Sequence, residues 1–431
     1  MISYSKLLSN KKLLVLVTIS ILLIIVVGVF LFSIKKNNAP VLKPITLEYW
    51  GINESEADML VLINEYKKIH PNVTINYSNK QLDDDLVRYR KTLLTRLKES
   101  TGPSIFRIHS TWVGEYLNEL TVATGELSDG TSYKNRFYGI AIDQCTSTSG
   151  QVYCVPLKYD GLLLLYNKNM FDKAGFQKPV TWEDIRSLAI RLTERNGDTI
   201  TRSGLALGTA LNVTNSTDVF GLMLAQSGVS IPDGLDTDSA TAALTFYRAF
   251  SKKDKVWNSS MQNSILAFAT EKTAMVFAKR EDIEKILSIN PTLKFVVTDV
   301  PQLPDLNGKI KQKSWASLWV EAVSADLDED QKKSAWEFLN WLSKPTQQKA
   351  LFSEVKKTSK VGYVYSDKSL KVELKEMPYL SVAAEGAPYA ITSFITDNTG
   401  NDNYVQALKA AIDSGGDEKT DLKVVKAVLS K

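Results

Sequence analysis

The chain of 431 residues holds only two histidines and two cysteines. Neither His70 nor His109 lies in an H-E-x-x-H or other paired-ligand spacing, so catalytic zinc and Ser-His-Asp hydrolysis lack their usual residues. Cys145 and Cys154 are separated by TSTSGQVY, too wide for a C-x-x-C redox or zinc motif. No G-x-G-x-x-G, G-x-x-x-x-G-K-[ST] or G-x-S-x-G occurs, which removes the commonest nucleotide and esterase signatures. No metal and no cofactor are expected. A strong net charge is lacking as well. Five of the 52 basic residues and none of the 48 acids fall in the first 36 positions, so the rest of the chain carries one net negative charge. General affinity for nucleic acid is therefore not expected. A composition of 44% apolar and 23% charged residues fits a folded globular protein.

What is present begins with Leu13 to Ile34, an uncharged run whose only polar side chains are Thr18, Ser20 and Ser33. As a helix it would be about 33 Å long, enough to cross a hydrocarbon core. The rivals are a buried core helix and a cleaved signal peptide. Core helices rarely run so long without charge, and the run exceeds the usual h-region with no A-x-A-like site close behind it. The reading is an uncleaved single-pass anchor. It follows a cytoplasmic stub (1–12) with a slight bias toward N-inside, precedes a tether (35–43), and holds the remainder on the outer face of the cell membrane. No cysteine near the run offers a lipid attachment point. Cys145 and Cys154 are expected to form a disulfide closing a hairpin between strands, the alternative being two reduced thiols of a cytosolic domain. Anchor and cysteine pair together favour the oxidising outer face.

About 390 residues remain, suited to two lobes of ordinary size. Ile45–Trp50, Val73–Tyr77 and Ser104–Ile108 read as strands alternating with helices over 54–69 and 83–99, the first with Met59, Leu60, Ile63 and Tyr66 at helical spacing. That order implies a parallel sheet with helices on both faces and ligands beyond the carboxyl ends of the strands. Leu162–Tyr166 is an apolar strand of the kind buried on both faces. Thr181 with Asp184 reads as a capping box. Further helices are expected at 218–226, 238–250, 261–270, 280–289 and 329–342, the last with Ala335, Trp336, Leu339 and Leu342 on one face. Strands are expected at 274–277, 294–297 and 315–324.

Asp413-Ser414-Gly415 matches the aspartic-protease triplet, but no second copy exists and glycine suits a helix stop. Glu54 and Asp160 could form a glycosidase pair, although single acids beside aromatics more often bind sugar hydroxyls. Of eight tryptophans, Trp50, Trp112, Trp257 and Trp315 stand where strands end or loops begin, as platforms for pyranose rings would. Trp182, Trp336 and Trp341 fit core positions.

The succession ITLEYWGINE, YKKIHPNVTINY, GPSIFRIHSTW, YCVPLKYDGLLLLYNKNMFDKAGFQKPVTWEDI, GLALGTALNV, TEKTAMVFAKRE and SAWEFLNWL resembles family 1 extracellular solute-binding proteins of ABC importers, especially the carbohydrate-binding branch that includes maltose-binding protein. The resemblance covers 44–429 and implies an α/β, two-lobed type II periplasmic-binding fold. Lobe one would comprise 44–158 plus 320–360 and lobe two 159–319 plus 361–431, with crossings near 158–161, 318–322 and 361–363. It further implies ligand contacts at Trp50 and Glu54, His109 and Trp112, Tyr159 and Asp160, Asn215 and Asp218, and Lys279 and Arg280. Trp257, Asn258 and Trp315 would face the cleft, and Tyr389 and Phe394 would lie in a C-terminal segment supplying an aromatic platform. The uncleaved anchor and the cysteine pair depart from the family pattern.

The function implied is a monomeric, non-enzymatic receptor that captures a carbohydrate, an oligosaccharide above all, and hands it to an ABC permease. A surface sensory module and a glycan hydrolase are the alternatives. On this reading, Trp257→Ala or Trp315→Ala would weaken binding more than stability.

Overall fold

A computed structural model describes residues 11–37, 43–80, 86–396 and 403–429. It divides into two compact units, 1–44 and 45–431. In the first, Lys11–Asn37 is one continuous helix. Its described side chains, Val15 to Gly28, are exposed. Among the described residues no helix is long and apolar enough to cross a membrane, and most of the expected stub and tether lies outside them. The anchor therefore rests on the sequence.

In the second unit the chain opens with β1 (Ile45–Gly51), β2 (Val73–Asn79), β3 (Ile105–His109) and β4 (Val155–Gly161). β1 pairs in parallel with β2 from Ile45↔Val73 to Gly51↔Asn79, and with β3 at Tyr49↔Ile105. The intervening helix Glu56–Ile69 starts where the Ser55 side chain accepts a hydrogen bond from the Asp58 N–H, satisfying one of the amides that a helix start leaves unpaired. It stops at His70, because Pro71 disfavours helical geometry in the residue before it. Its buried face is Met59, Leu62, Ile63 and Tyr66; Leu60 is exposed, one position off the expected stripe. The cysteines are joined, with Cα atoms 5.1 Å apart. Cys145, however, closes the helix Gly139–Cys145 rather than ending a strand, and the turn is carried by the Thr146↔Val152 bridge.

The next stretch holds β5 (Leu163–Asn167), the hairpin β6 (Glu194–Asn196) and β7 (Thr199–Arg202), then β8 (Met275–Ala278) and β9 (Phe295–Thr298). β5 is the centre of a second sheet ordered β8-β5-β9. Leu163, Leu164 and Leu165 are buried, as the apolar run implied, yet both neighbours are antiparallel. Around this sheet, Thr181 and Asp184 form the expected capping box at the start of Trp182–Leu192.

The chain then returns to the first sheet. β10 (Ser314–Val323) inserts between β3 and β4, antiparallel to both, and is followed by β11 (Val364–Tyr365) and β12 (Ala390–Ile391). The resulting order is β11-β4-β10-β3-β1-β2, with β12 on β10. The sheet is thus mixed, parallel across β1 to β3 and where β12 joins β10 but antiparallel on both sides of β10 where it meets β3 and β4, because the return of a distant segment replaces the next βα unit. The helix Glu329–Leu342 covers it with Ala335, Trp336, Leu339 and Leu342, all fully buried.

The C-terminal helices Asn403–Asp413 and Glu418–Leu429 pack on Asp238–Lys252 of the other half. Buried Arg248 joins them: its guanidinium donates to the carbonyls of Ala411, Ile412 and Gly416 and pairs with Asp421 and, at 3.2 Å, Glu418. It occupies carbonyls that a helix C-terminus leaves free. Asp413 accepts the Ala210 N–H at 2.7 Å, so the Asp-Ser-Gly triplet is a helix stop. Removing one partner of a buried ion pair costs about 3–5 kcal/mol. Arg248→Ala should lose stability of that order in urea unfolding and expose the last two helices to proteolysis; an unchanged midpoint would contradict this role.

Candidate functional site

The two sheets exchange chain where β4 runs into β5 and where β10 begins. Ala316 pairs with Gly161, and the Leu162 N–H donates to the Trp315 carbonyl at 2.8 Å. The passages fall at 161–163 and 314–316. Leu318–Ala322, expected as a crossing, lies inside the first sheet, since β10 is a single strand from Ser314 onward. β11 also pairs in that sheet, at Val364↔Tyr159, whereas the last two helices belong to the second half. Between the halves lies a cavity of about 270 Å³. Strand ends of both sheets meet there, as open α/β sheets dispose their ligand sites.

From the first half come the ends of β1, β3 and β4. The fully buried Glu54 carboxylate sits between the Arg107 guanidinium and the Lys158 ammonium. Arg107 also donates from Nε to Glu321 at 2.6 Å. A carboxylate held by two cations is a poor proton donor, so Glu54 does not fit the acid of a Glu54/Asp160 glycosidase pair. Trp50 stands apart from the cavity, with the Lys80 ammonium 4.7 Å from its ring centre. His109 and Trp112 are buried and form an aromatic cluster with Trp319, whose ring meets theirs edge-on at 5.2 and 5.5 Å. Burial, with Lys279 and Arg90 nearby, pushes the His109 imidazole well below its usual range, leaving it neutral. Tyr159 and Asp160 both line the cavity. Burial pushes Asp160 up to about 6, and its Oδ1 accepts the Arg280 backbone N–H at 3.1 Å across the two halves.

From the second half come the end of β8 and the start of the helix Ser216–Gln226. Asp218 accepts from Trp315 Nε1 at 2.8 Å and pairs with Lys279 Nζ at 3.1 Å. Trp315 lies flat on this helix. A Cβ on Gly221 would come within 2.6 Å of its ring, so only glycine permits that approach. Asn215 donates to Asp282 at 2.8 Å, and Asp282 in turn accepts the Lys279 N–H at 2.9 Å.

Of the expected residues, Tyr159, Asp160 and Arg280 line the cavity itself; besides Trp50, four more are placed well apart from it. Trp257 is fully buried and donates to Asn212 at 3.0 Å, an anchor for its loop. Asn258 caps a turn through the Ser260 N–H. Tyr389 is exposed, and Phe394 packs edge-on against Tyr404 at 5.5 Å. Trp315 is also fully buried, so truncating either Trp257 or Trp315 removes core, against the expected binding phenotype. The cavity adds residues not foreseen: Lys158, Trp319, Tyr363 and Glu284. Trp319 was accessible to reasoning, since in a strand it shares a face with Trp315 four positions earlier. Glu284, which accepts from Ser359 Oγ (2.9 Å) and the Lys360 and Val361 amides (2.7 and 3.1 Å), follows from no local pattern.

Because the folded-state value of Asp160 exceeds the ordinary 3.8, its ionisation costs folding free energy at neutral pH, and that cost disappears as the folded protein takes up a proton below about 6. Stability from this group falls as pH rises from about 4 to 6. Asp160→Asn should abolish that slope and exceed the parent at pH 7.5 by on the order of 1–2 kcal/mol. Urea titrations at pH 4.5 and 7.5 would check it; a less stable variant at pH 7.5 would contradict it.

Comparison with known proteins fits this architecture. A putative binding protein of Brucella abortus (strain 2308) is 22% identical over 324 residues, covering 70% of this chain and 73% of its own. The structure of a cyclic α-maltosyl-1,6-maltose binding protein from Arthrobacter globiformis superposes with a TM-score of 0.71 at 17% identity, covering 90% of this chain and 98% of that one. UgpB from Mycobacterium tuberculosis in complex with glycerophosphocholine gives 0.69 at 18% identity, again covering 90% and 98%. The model of the bacterial extracellular solute-binding proteins matches residues 61–359, and with the two sheets and the cavity between them this chain belongs to that family of binding proteins, which are not enzymes.

Proposed function

We propose that the chain is the extracytoplasmic receptor of an ABC importer and takes a carbohydrate, an oligosaccharide above all, into the cavity between two lobes. The carrying observation is the meeting of β4 and the segments that follow β1 and β8 on one cavity, with aromatic rings of Tyr159, Trp319 and Tyr363 in its wall. Flat rings cover the apolar faces of pyranoses while carboxylates and amides take their hydroxyls. Sugar-binding neighbours such as the Arthrobacter protein support the same ligand class. The sheet pairing supports one lobe of 45–161 with 314–391 and another of 162–313 with the C-terminal helices. Ligand bound between them favours the closed state by its contacts with both walls. The protein acts as a monomer without cofactor.

The uncharged run Leu13–Ile34 within the Lys11–Asn37 helix supports a single-pass anchor. Residues 1–12 would be cytoplasmic and the receptor outside. Cells expressing the full chain should retain it in carbonate-washed membranes, and deletion of 13–34 should release it; a full-length chain in the soluble fraction would refute the anchor.

Calorimetric titration with neutral di- to tetrasaccharides should find at least one ligand. Trp319→Ala should then weaken it at least about tenfold per folded molecule, as loss of a stacking aromatic does in binding sites. If every sugar fails while another polar solute binds, the carbohydrate assignment is wrong.

A further inference from the structure

We infer that the cleft selects an uncharged, polyhydroxylated ligand and rejects anionic ones, a rule of specificity that rests on the carbohydrate reading and narrows it.

The cations in the wall, Lys158 and Arg280, and Lys279 beside it are already engaged. Lys158 is paired with Glu54, Lys279 with Asp218 at 3.1 Å, and Arg280 with Glu281 at 3.3 Å. Within the lining itself carboxylates outnumber cations: Asp58, Asp160, Glu281 and Glu284 face Lys158 and Arg280. Glu284 is bound by backbone amides and Asp160 by the Arg280 N–H, so neither neutralises a wall cation. His109, held neutral, adds no positive charge. An anionic ligand would meet carboxylates across the cavity, or would have to draw a cation from its partner and leave a buried acid uncompensated.

Neutral groups with free hydrogen-bonding capacity lie just outside this lining, on two elements packed against β10, the strand that carries Trp319. Ser216 and Thr217, in the first turn of the helix that carries Asp218, are fully buried, and their hydroxyls have no hydrogen-bond partner among the described residues. Beyond the end of β3, where Trp112 packs on the wall residue Trp319, Ser110 Oγ and Trp112 Nε1 are buried and equally unpartnered. Buried polar groups are ordinarily paired. A sugar hydroxyl both donates and accepts, so it answers a serine, a threonine or an indole N–H alike, and it brings no charge to be compensated.

The test uses the full chain in detergent micelles and matched ligand pairs read by calorimetry: maltotriose against its 6-phosphate ester, galactobiose against digalacturonate, with glycerophosphocholine as a phosphodiester probe. The neutral member of a pair should bind and its anionic counterpart should be weaker by at least about a hundredfold, since it must bury charge against unneutralised carboxylates. Ser216→Ala with Thr217→Val should weaken the neutral sugar at least about tenfold with the melting temperature unchanged. An anionic sugar that binds within threefold of its neutral counterpart overturns the inference and leaves the carbohydrate reading intact. Tight binding of glycerophosphocholine with no sugar bound overturns both. Full retention of affinity in the double variant removes Ser216 and Thr217 from the site.

Discussion

The pairing of β4 with β10 is the constraint on which the rest of the molecule depends. These strands run antiparallel through the first sheet from Glu321↔Val155 to Ala316↔Gly161. Because both continue into the second half, the two passages leave the sheet side by side and are tied by the Leu162–Trp315 hydrogen bond. Tyr159 and Asp160 therefore end up at the boundary on one strand, and Trp315 and Trp319 on the other. A site made of residues some 160 positions apart in sequence is thus fixed by one ladder of backbone hydrogen bonds. Ladders of this kind resist shear but permit bending at their ends, which suits a hinge.

Beneath that ladder the first half buries a chain of alternating charges: Lys158, Glu54, Arg107 and Glu321. Such a chain contributes little net stability, since desolvation offsets much of the Coulomb attraction. What it does is fix geometry. Arg107 also donates to the Ile52 carbonyl, so the loop after β1, the floor strand β3 and the returning strand β10 share one guanidinium. Each charge has an opposite neighbour, and the floor stays electrically neutral.

Local features were legible because local physics determines them. The Ser55 and Thr181 caps, the stop at His70-Pro71 and the buried face of Glu329–Leu342 all follow from patterns within a few residues, and the disulfide followed from two cysteines with no other use. The insertion of β10 between β3 and β4 was not legible, because strand order depends on contacts hundreds of residues apart and an apolar strand such as β5 reads the same between parallel or antiparallel neighbours. The site divided along the same line. Asp160 and Arg280, expected from the family resemblance, do line the cavity, at element ends where open sheets place ligands. Trp257 was misjudged because a tryptophan at a loop start reads alike whether it faces a cleft or pins its own loop, and only its bond to Asn212 distinguishes the two.

The second wall shows why closure can be specific without large rearrangement. Asp218 is held by Trp315 and Lys279, Trp315 by Gly221, and Asn215 with Asp282 braces the turn that presents Lys279. These side chains are fixed before any ligand arrives, so binding need not order them, and the free energy of each new contact is available to favour the closed state. The cross-half contacts at Arg280 and Glu284 engage backbone N–H groups beside the passages rather than the cavity floor. They hold the halves in register near the axis of motion. On the proposed reading, affinity then depends on neutral hydroxyls and an indole N–H held next to the wall rather than on unpaired charges.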